Sequence, residues 1–191
     1  MQIKNNKVDL FYDLIDNACM TYYNDIKRDY LDSFISFVNV LMNQENETRL
    51  SNKAVTKINS IIDKLENETF LNEEVRLALE LIFIKGFKNR NVSLDFLTPD
   101  AICYIISFVC NTIIKHNYSS QEVTIMDTVI GCGNLLNAVM NNAKVKVNGI
   151  GIENDELMAK LSKCSSELID NDVIINYDDA KKTNNRSEER R

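Results

Sequence analysis

Glycine, proline and tryptophan are scarce in this chain. Its 191 residues include five glycines, one proline and no tryptophan. Average usage would give roughly thirteen glycines and ten prolines. Turn-dense all-β sandwiches need many such punctuators, so the shortage argues against that class. Collagen-like and proline-rich disordered chains are excluded. The glycines are also unevenly placed, at Gly86, Gly131, Gly133, Gly149 and Gly151. The stretch before Gly86 holds neither Gly nor Pro and can form uninterrupted helices. Close backbone approach is confined to the last third.

Histidine is equally scarce, with His116 alone, and no Cys-x-x-Cys pair occurs. A zinc site is not expected. The five cysteines are Cys19, Cys103, Cys110, Cys132 and Cys164. Their odd number and wide spacing suit a reducing compartment, and a cytoplasmic location is expected. The first residues carry acids inside their apolar stretch, unlike a signal peptide. No apolar run is long enough to suggest a membrane-spanning helix.

Acids outnumber bases, 28 to 22, for a formal charge of −6. Residues 181–191 hold five Lys/Arg and two Glu, so residues 1–180 carry −9. A body this acidic is a poor non-specific DNA binder, although a local patch is still compatible with nucleic acid. The charged segment 181–191 has no aliphatic or aromatic residue and reads as a disordered tail.

Residues 7–43 show apolar positions at helical spacing, with a break expected near 18–22. Ser51 reads as the N-cap of a helix carrying Val55, Ile58, Ile61 and Leu65. Asn72 reads as the cap of another, with Glu73 and Glu74 in its first turn and a stop near Gly86. Residues 1–95 are therefore expected to form an all-α domain. Thr98-Pro99-Asp100 then reads as a helix start, Thr98 as N-cap and Pro99 at the first helical position, with the helix ending near Lys115. Three β-type runs follow, Val123–Met126, Val145–Ile152 and Val173–Tyr177. Helical spans at 133–142 and 155–169 separate them. This alternation predicts βαβαβ with a parallel sheet over residues 96–180.

The chemistry-bearing pattern lies in that second part. The first β-run ends in Asp127, and a loop with Gly131 and Gly133 leads into a helix at Asn134. Such glycines let backbone approach a ligand. The second run ends in Glu153, 22 residues after Gly131. An acid at this distance accepts hydrogen bonds from ribose hydroxyls in nucleotide folds. The third is followed by Asp178-Asp179-Ala180, which places Asp179 to reach an adenine amino group. Leu136 occupies the third position of the dinucleotide fingerprint, and no Gly-Lys-Ser/Thr occurs. The site therefore favours a mononucleoside ligand with little phosphate, and S-adenosylmethionine fits.

Several segments together resemble the class I S-adenosylmethionine-dependent methyltransferases of the N6-adenine DNA type, and especially their YtxK-like group. They are Leu79–Phe87, Leu97–Ile102, Asp127–Leu136, Gly149–Leu157 and Asp179-Ala180. The most specific are Thr98-Pro99-Asp100 and the turn Gly131-Cys132-Gly133-Asn134-Leu135-Leu136. The resemblance implies an α/β fold, a helical N-terminal domain followed by the first half of a Rossmann-like methyltransferase domain. It implies Thr98 near the methionine end of the cofactor, with Asp127, Gly131 and Gly133 forming the loop around it. Asn134 would stand at a helix start able to receive the methionine carboxylate. Glu153 would take the ribose and Asp179 the adenine. DNA is the implied partner.

Adenine N6 methyltransferases also carry an Asn/Asp-Pro-Pro-aromatic motif that holds the target amine and stacks on the flipped base. The only proline here is Pro99. The expectation is a chain truncated before its catalytic motif and inactive alone, with a partner chain able to complete the sheet. The competing expectation is a degenerate binding or interaction module, or the remnant of a truncated gene.

Overall fold

The computed structural model describes residues 6–44, 49–118 and 122–178. The chain divides into two compact units, Met1–Leu94 and Asp95–Arg191. The segment 181–191 lies outside the described residues.

Among the described residues the first unit contains four helices, α1 (Asn6–Ile26), α2 (Tyr30–Leu41), α3 (Asn52–Glu66) and α4 (Asn72–Arg90). α1 packs against the other three. Ile15, Ala18, Cys19 and Tyr22 of α1 are fully buried, as are Leu31, Phe34, Phe37 and Val38 of α2. Phe34 meets Phe83 of α4 edge-to-face, with centroids 5.5 Å apart. That geometry suits the opposed charges of ring edge and ring face.

Three local expectations change here. The break falls after Ile26 rather than near 18–22, because Lys27 turns to φ 56°. Asp29 then caps α2 by accepting from the N–H of Leu31 and Asp32. The cap of α4 is Leu71, one residue before Asn72, and the Glu74 carboxylate accepts its N–H at 2.9 Å. Nor does Gly86 stop α4, which runs on to Arg90. A Cβ at Gly86 would lie 2.2 Å from Leu31 Cδ2, so the glycine is a notch that admits α2. Ser51 caps α3 as anticipated, accepting from Ala54 N at 3.3 Å.

The second unit follows a short 3-10 turn at Leu94–Phe96 and comprises α5 (Asp100–Asn117), β1 (Val123–Asp127), α6 (Asn134–Asn141), β2 (Val147–Glu153), α7 (Glu156–Ile169) and β3 (Val173–Tyr177). Pro99 itself is the N-cap of α5. Thr98 stands one position too early to cap it, and α5 ends two residues beyond Lys115. The strands are parallel in the order β1-β2-β3. Ile125, Gly149 and Val173 stand side by side in register. β2 starts at Val147, later than the expected Val145, and extends through Glu153. The fold is α/β, a helical unit followed by a partial Rossmann-like unit.

Right-handed crossovers between consecutive neighbours put α6 and α7 on one face of such a sheet. Val123, Ile125, Val147, Val173 and Ile175 pack there with Ile114, Ile130, Leu136 and Met140. A Cβ on Gly149 would fall 3.1 Å from both Leu136 Cδ2 and Met140 Sδ, and one on Gly151 would fall 2.4 Å from Ile130 Cδ1. These two glycines therefore serve close packing of α6 and its leading turn on the sheet, rather than a ligand. On the opposite face, Met126 and Ile174 are exposed.

Candidate functional site

The site lies at the carboxyl ends of β1 and β2, where parallel α/β sheets bind ligands. β1 ends at Asp127, whose Oδ1 accepts the Val129 N–H at 3.0 Å. This local turn steers the chain out of the strand and leaves Oδ2 for other donors. The loop then returns to the sheet, where Ile130 N donates to Ile152 O of β2 at 3.1 Å. Gly131 and Gly133 follow with φ of 56° and 86°, the left-handed region that side chains disfavour. Gly133 caps α6. A Cβ there would meet Ser162 Oγ at 3.1 Å and Asn137 Nδ2 at 3.2 Å, so both conformation and space call for glycine.

Glu153 holds the turn from the neighbouring strand. Its Oε2 accepts the Gly131 N–H at 2.8 Å. Its Oε1 accepts the N–H groups of Asn154 and Asp155, at 2.8 and 2.9 Å. The residue is only 5% exposed, so this carboxylate is first of all a clamp between the glycine turn and the start of α7. A carboxylate has about four acceptor positions. Three are filled by backbone, which leaves room for a single hydroxyl donor.

Asn134, the first residue of α6, is buried and donates from Nδ2 to the Thr98 carbonyl at 2.7 Å. The Cys103 thiol donates to the same oxygen at 3.5 Å. Thr98 and Asn134 thus come together, 36 residues apart in sequence, and lock the start of α5 to the start of α6. The exit of β3 also reaches the site, since Asp178 N donates to Glu153 O at 3.0 Å. Asp179, the next residue, lies outside the described residues. The structure therefore brings Thr98 to Asn134 and Gly131 to Glu153, with Asp127 and Gly133 on the same loop.

One supporting residue escaped the sequence reading. Asn137 is completely buried, and its Oδ1 accepts from Asn171 Nδ2 at 2.9 Å. Its Nδ2 reaches Ser165 and Ser166 of α7, each at 3.4 Å. An amide set between Leu136 and Ala138 on an apolar helix was the available signal. Cys164 of α7 is buried, and burial first, then the Glu167 charge, push its thiol up to about 12. It stays protonated and is no nucleophile at neutral pH.

Taken together, the helical unit, the parallel strands and the glycine turn form a fold of the class I methyltransferase type, present in part. A crystal structure of a Listeria monocytogenes protein (lmo1582), described as a candidate class I S-adenosylmethionine-dependent methyltransferase, matches it with a TM-score of 0.78. The two are 24% identical, and the match covers 92% of this chain and 54% of that one. The uncharacterised protein YtxK of Bacillus subtilis is 26% identical over 181 residues, 93% of this chain and 54% of its own length. The chain thus spans about half the length of each relative. No protein-family model matches it. No helix among the described residues is long and apolar enough to cross a membrane.

Proposed function

We propose that the second unit binds S-adenosylmethionine and that the chain serves methyl transfer to the N6 amine of adenine in DNA. The observation that carries the cofactor reading is the pinned turn: Gly131 donates to Glu153 across the ends of two parallel strands, with both loop glycines at positive φ. Around that turn the residues fit the cofactor chemically. The Asp127 carboxylate retains an oxygen for the methionine ammonium group. The start of α6 offers partial positive charge to a carboxylate. The acceptor position left on Glu153 suits one ribose hydroxyl, and Asp179 is the candidate for the adenine amine. When bound, the cofactor supplies an electrophilic methyl group on its sulfonium; the chain holds that group in one orientation.

The description of the Listeria protein supports methyl transfer in general. Adenine in DNA is supported by the resemblance carried by Leu97–Ile102 and Asp127–Leu136. These 191 residues contain one proline and hence no Pro-Pro-aromatic segment to hold the target amine. We propose that further polypeptide supplies it and lies over the open face of the sheet, where Met126 is 56% and Ile174 62% exposed. The 191-residue chain by itself then binds the cofactor without transferring methyl groups.

Calorimetry with S-adenosylmethionine tests the reading. Micromolar binding that disappears in Gly133→Leu, with the fold retained by circular dichroism, is the expected result. An absence of binding by the native chain overturns the cofactor reading and leaves a binding module that works through its exposed surfaces. Transfer of labelled methyl groups to DNA by this chain alone overturns the claim of inactivity.

A further inference from the structure

We propose a second ligand site in the unit Asp95–Arg191, a pocket for a nucleoside monophosphate at the far end of α6 from the glycine turn. A cavity of about 650 Å³ lies against the later turns of α5 and the connection from α6 to β2. That volume is in the range of small-molecule sites. Tyr104, Phe108, Asn111 and Lys115 line it from successive turns of α5, with His116 beside them and Lys144 from the connection. α6 is eight residues long. At about 1.5 Å per residue, it separates this cavity from the Gly133 turn by about 12 Å. None of the lining residues belongs to the cofactor site, so the proposal stands apart from the methyltransferase reading.

Charge selects the ligand. Acids outnumber bases in the chain by six, yet among the described residues no Asp or Glu lines this cavity. Among the described residues Lys115 and Lys144 have no carboxylate partner, whereas nearby Lys146 pairs with Glu122 at 2.6 Å. Two helix C-termini, of α5 and α6, adjoin the cavity and bring about −0.5 charge each. The two lysines outweigh them and leave a surplus of about one positive charge. Such a surplus suits one phosphoryl group. It is too small to hold a polyanion against a body as acidic as this one.

The walls select a planar group beside that phosphate. Phe108 is 74% and Tyr104 45% exposed, an unusual state for rings one helical turn apart on a folded protein. Aromatic faces of this kind stack on nucleobases. Asn111 donates from Nδ2 to the Val139 carbonyl at 3.2 Å, while its buried Oδ1 has no hydrogen-bond partner. That oxygen has no accessible surface, so Asn111 shapes the wall of the cavity and leaves recognition of the planar group to the two rings.

The test is calorimetry of the 191-residue chain at low ionic strength with AMP, adenosine, inorganic phosphate and a short oligodeoxythymidylate. AMP binding is expected, weakened roughly tenfold in Lys115→Ala/Lys144→Ala and several-fold in Phe108→Ala. It should withstand excess S-adenosylhomocysteine. Circular dichroism checks the fold, and Lys144→Gln, outside every helix and strand, carries the charge test if the double variant does not fold. No AMP binding at millimolar concentration overturns the proposal. So does equal binding of adenosine or phosphate alone, or tighter binding of the oligonucleotide. Displacement of AMP by S-adenosylhomocysteine with no effect of the lysine substitutions places AMP in the cofactor site and also overturns it.

Discussion

Among the described residues the helical unit leaves four large apolar side chains exposed, Tyr23, Leu71, Leu81 and Leu94, whereas the α/β unit leaves twelve. Phe34 in the first is completely buried; Phe108 in the second is 74% exposed. The difference follows from architecture. Four amphipathic helices can turn every apolar stripe toward one shared core. In the α/β unit seven of the twelve lie on α5, from Ile102 to Ile113, and Met126 and Ile174 lie on the face of the sheet that α6 and α7 leave open. Apolar area gathered in this way marks a surface meant for contact. The same residue type therefore tests the comparison. Phe34→Ala should lower stability by about 3–5 kcal/mol in urea unfolding, through lost burial and a cavity beside Phe83. Phe108→Ala should stay within about 0.5 kcal/mol. A large loss for Phe108→Ala would mean that α5 is covered, and the contrast between the units would fail.

The glycines sharpen the comparison at the next level. Gly86→Ala adds a methyl 2.2 Å from Leu31 Cδ2, and Gly151→Ala one 2.4 Å from Ile130 Cδ1. In a free helix the first change would gain up to about 1 kcal/mol. Overpacking opposes it with about 1–3 kcal/mol. Both variants are expected to be destabilised, Gly86→Ala in the helical unit and Gly151→Ala in the sheet. Thermal melts followed by probes in each unit separate them. A stabilised Gly86→Ala would show that α2 and α4 have slack at this contact.

Polar burial runs the other way. The helical unit joins its elements mainly through rings and aliphatic side chains, while α6 and α7 meet at Asn137, Ser165 and Ser166. Asn137→Ala removes the buried amide that joins Asn171, Ser165 and Ser166, with Asn171 keeping only Asn141 Oδ1 at 3.1 Å, and should cost about 1–3 kcal/mol. Amide hydrogen exchange should speed up in α6 and α7 and stay unchanged in α1–α4. An equal acceleration in both units would break the distinction drawn between them.

Much of this organisation was legible because periodicity and turn chemistry are local. Val173–Tyr177 matched its strand end to end, and Ser51 capped the helix it preceded. The misses are of another kind. Gly86 resembles a helix stop, and only the presence of Leu31 makes it a notch. Thr98 had the chemistry of a cap, yet its carbonyl is engaged by an asparagine 36 residues away. Glu153 was legible as the acid of the second strand, but not as the acceptor of three backbone N–H groups. Long-range partners leave no spacing to read, whereas a cap or a strand does.

The smallest effect concerns charge in the helical unit. Asp29 caps α2 and also accepts from Arg90 Nε at 2.8 Å. Burial pushes its carboxyl up, but the hydrogen bond and charge of Arg90, with the N–H groups of Leu31 and Asp32, outweigh burial and hold it below the usual range. A carboxyl depressed by folding contributes stability that is complete above its unfolded value, about 3.9. That contribution drains away as pH falls through the lower folded value. Asp29→Asn keeps a capping side chain and loses the charge. At neutral pH it should cost less than about 1 kcal/mol, since the pair is partly exposed and screened. Below about pH 4 the native chain should lose this advantage and the two stability curves should converge. Urea midpoints across the acid range measure the convergence. Parallel curves would show that the Asp29–Arg90 pair adds nothing to the closure that sets the helical unit apart.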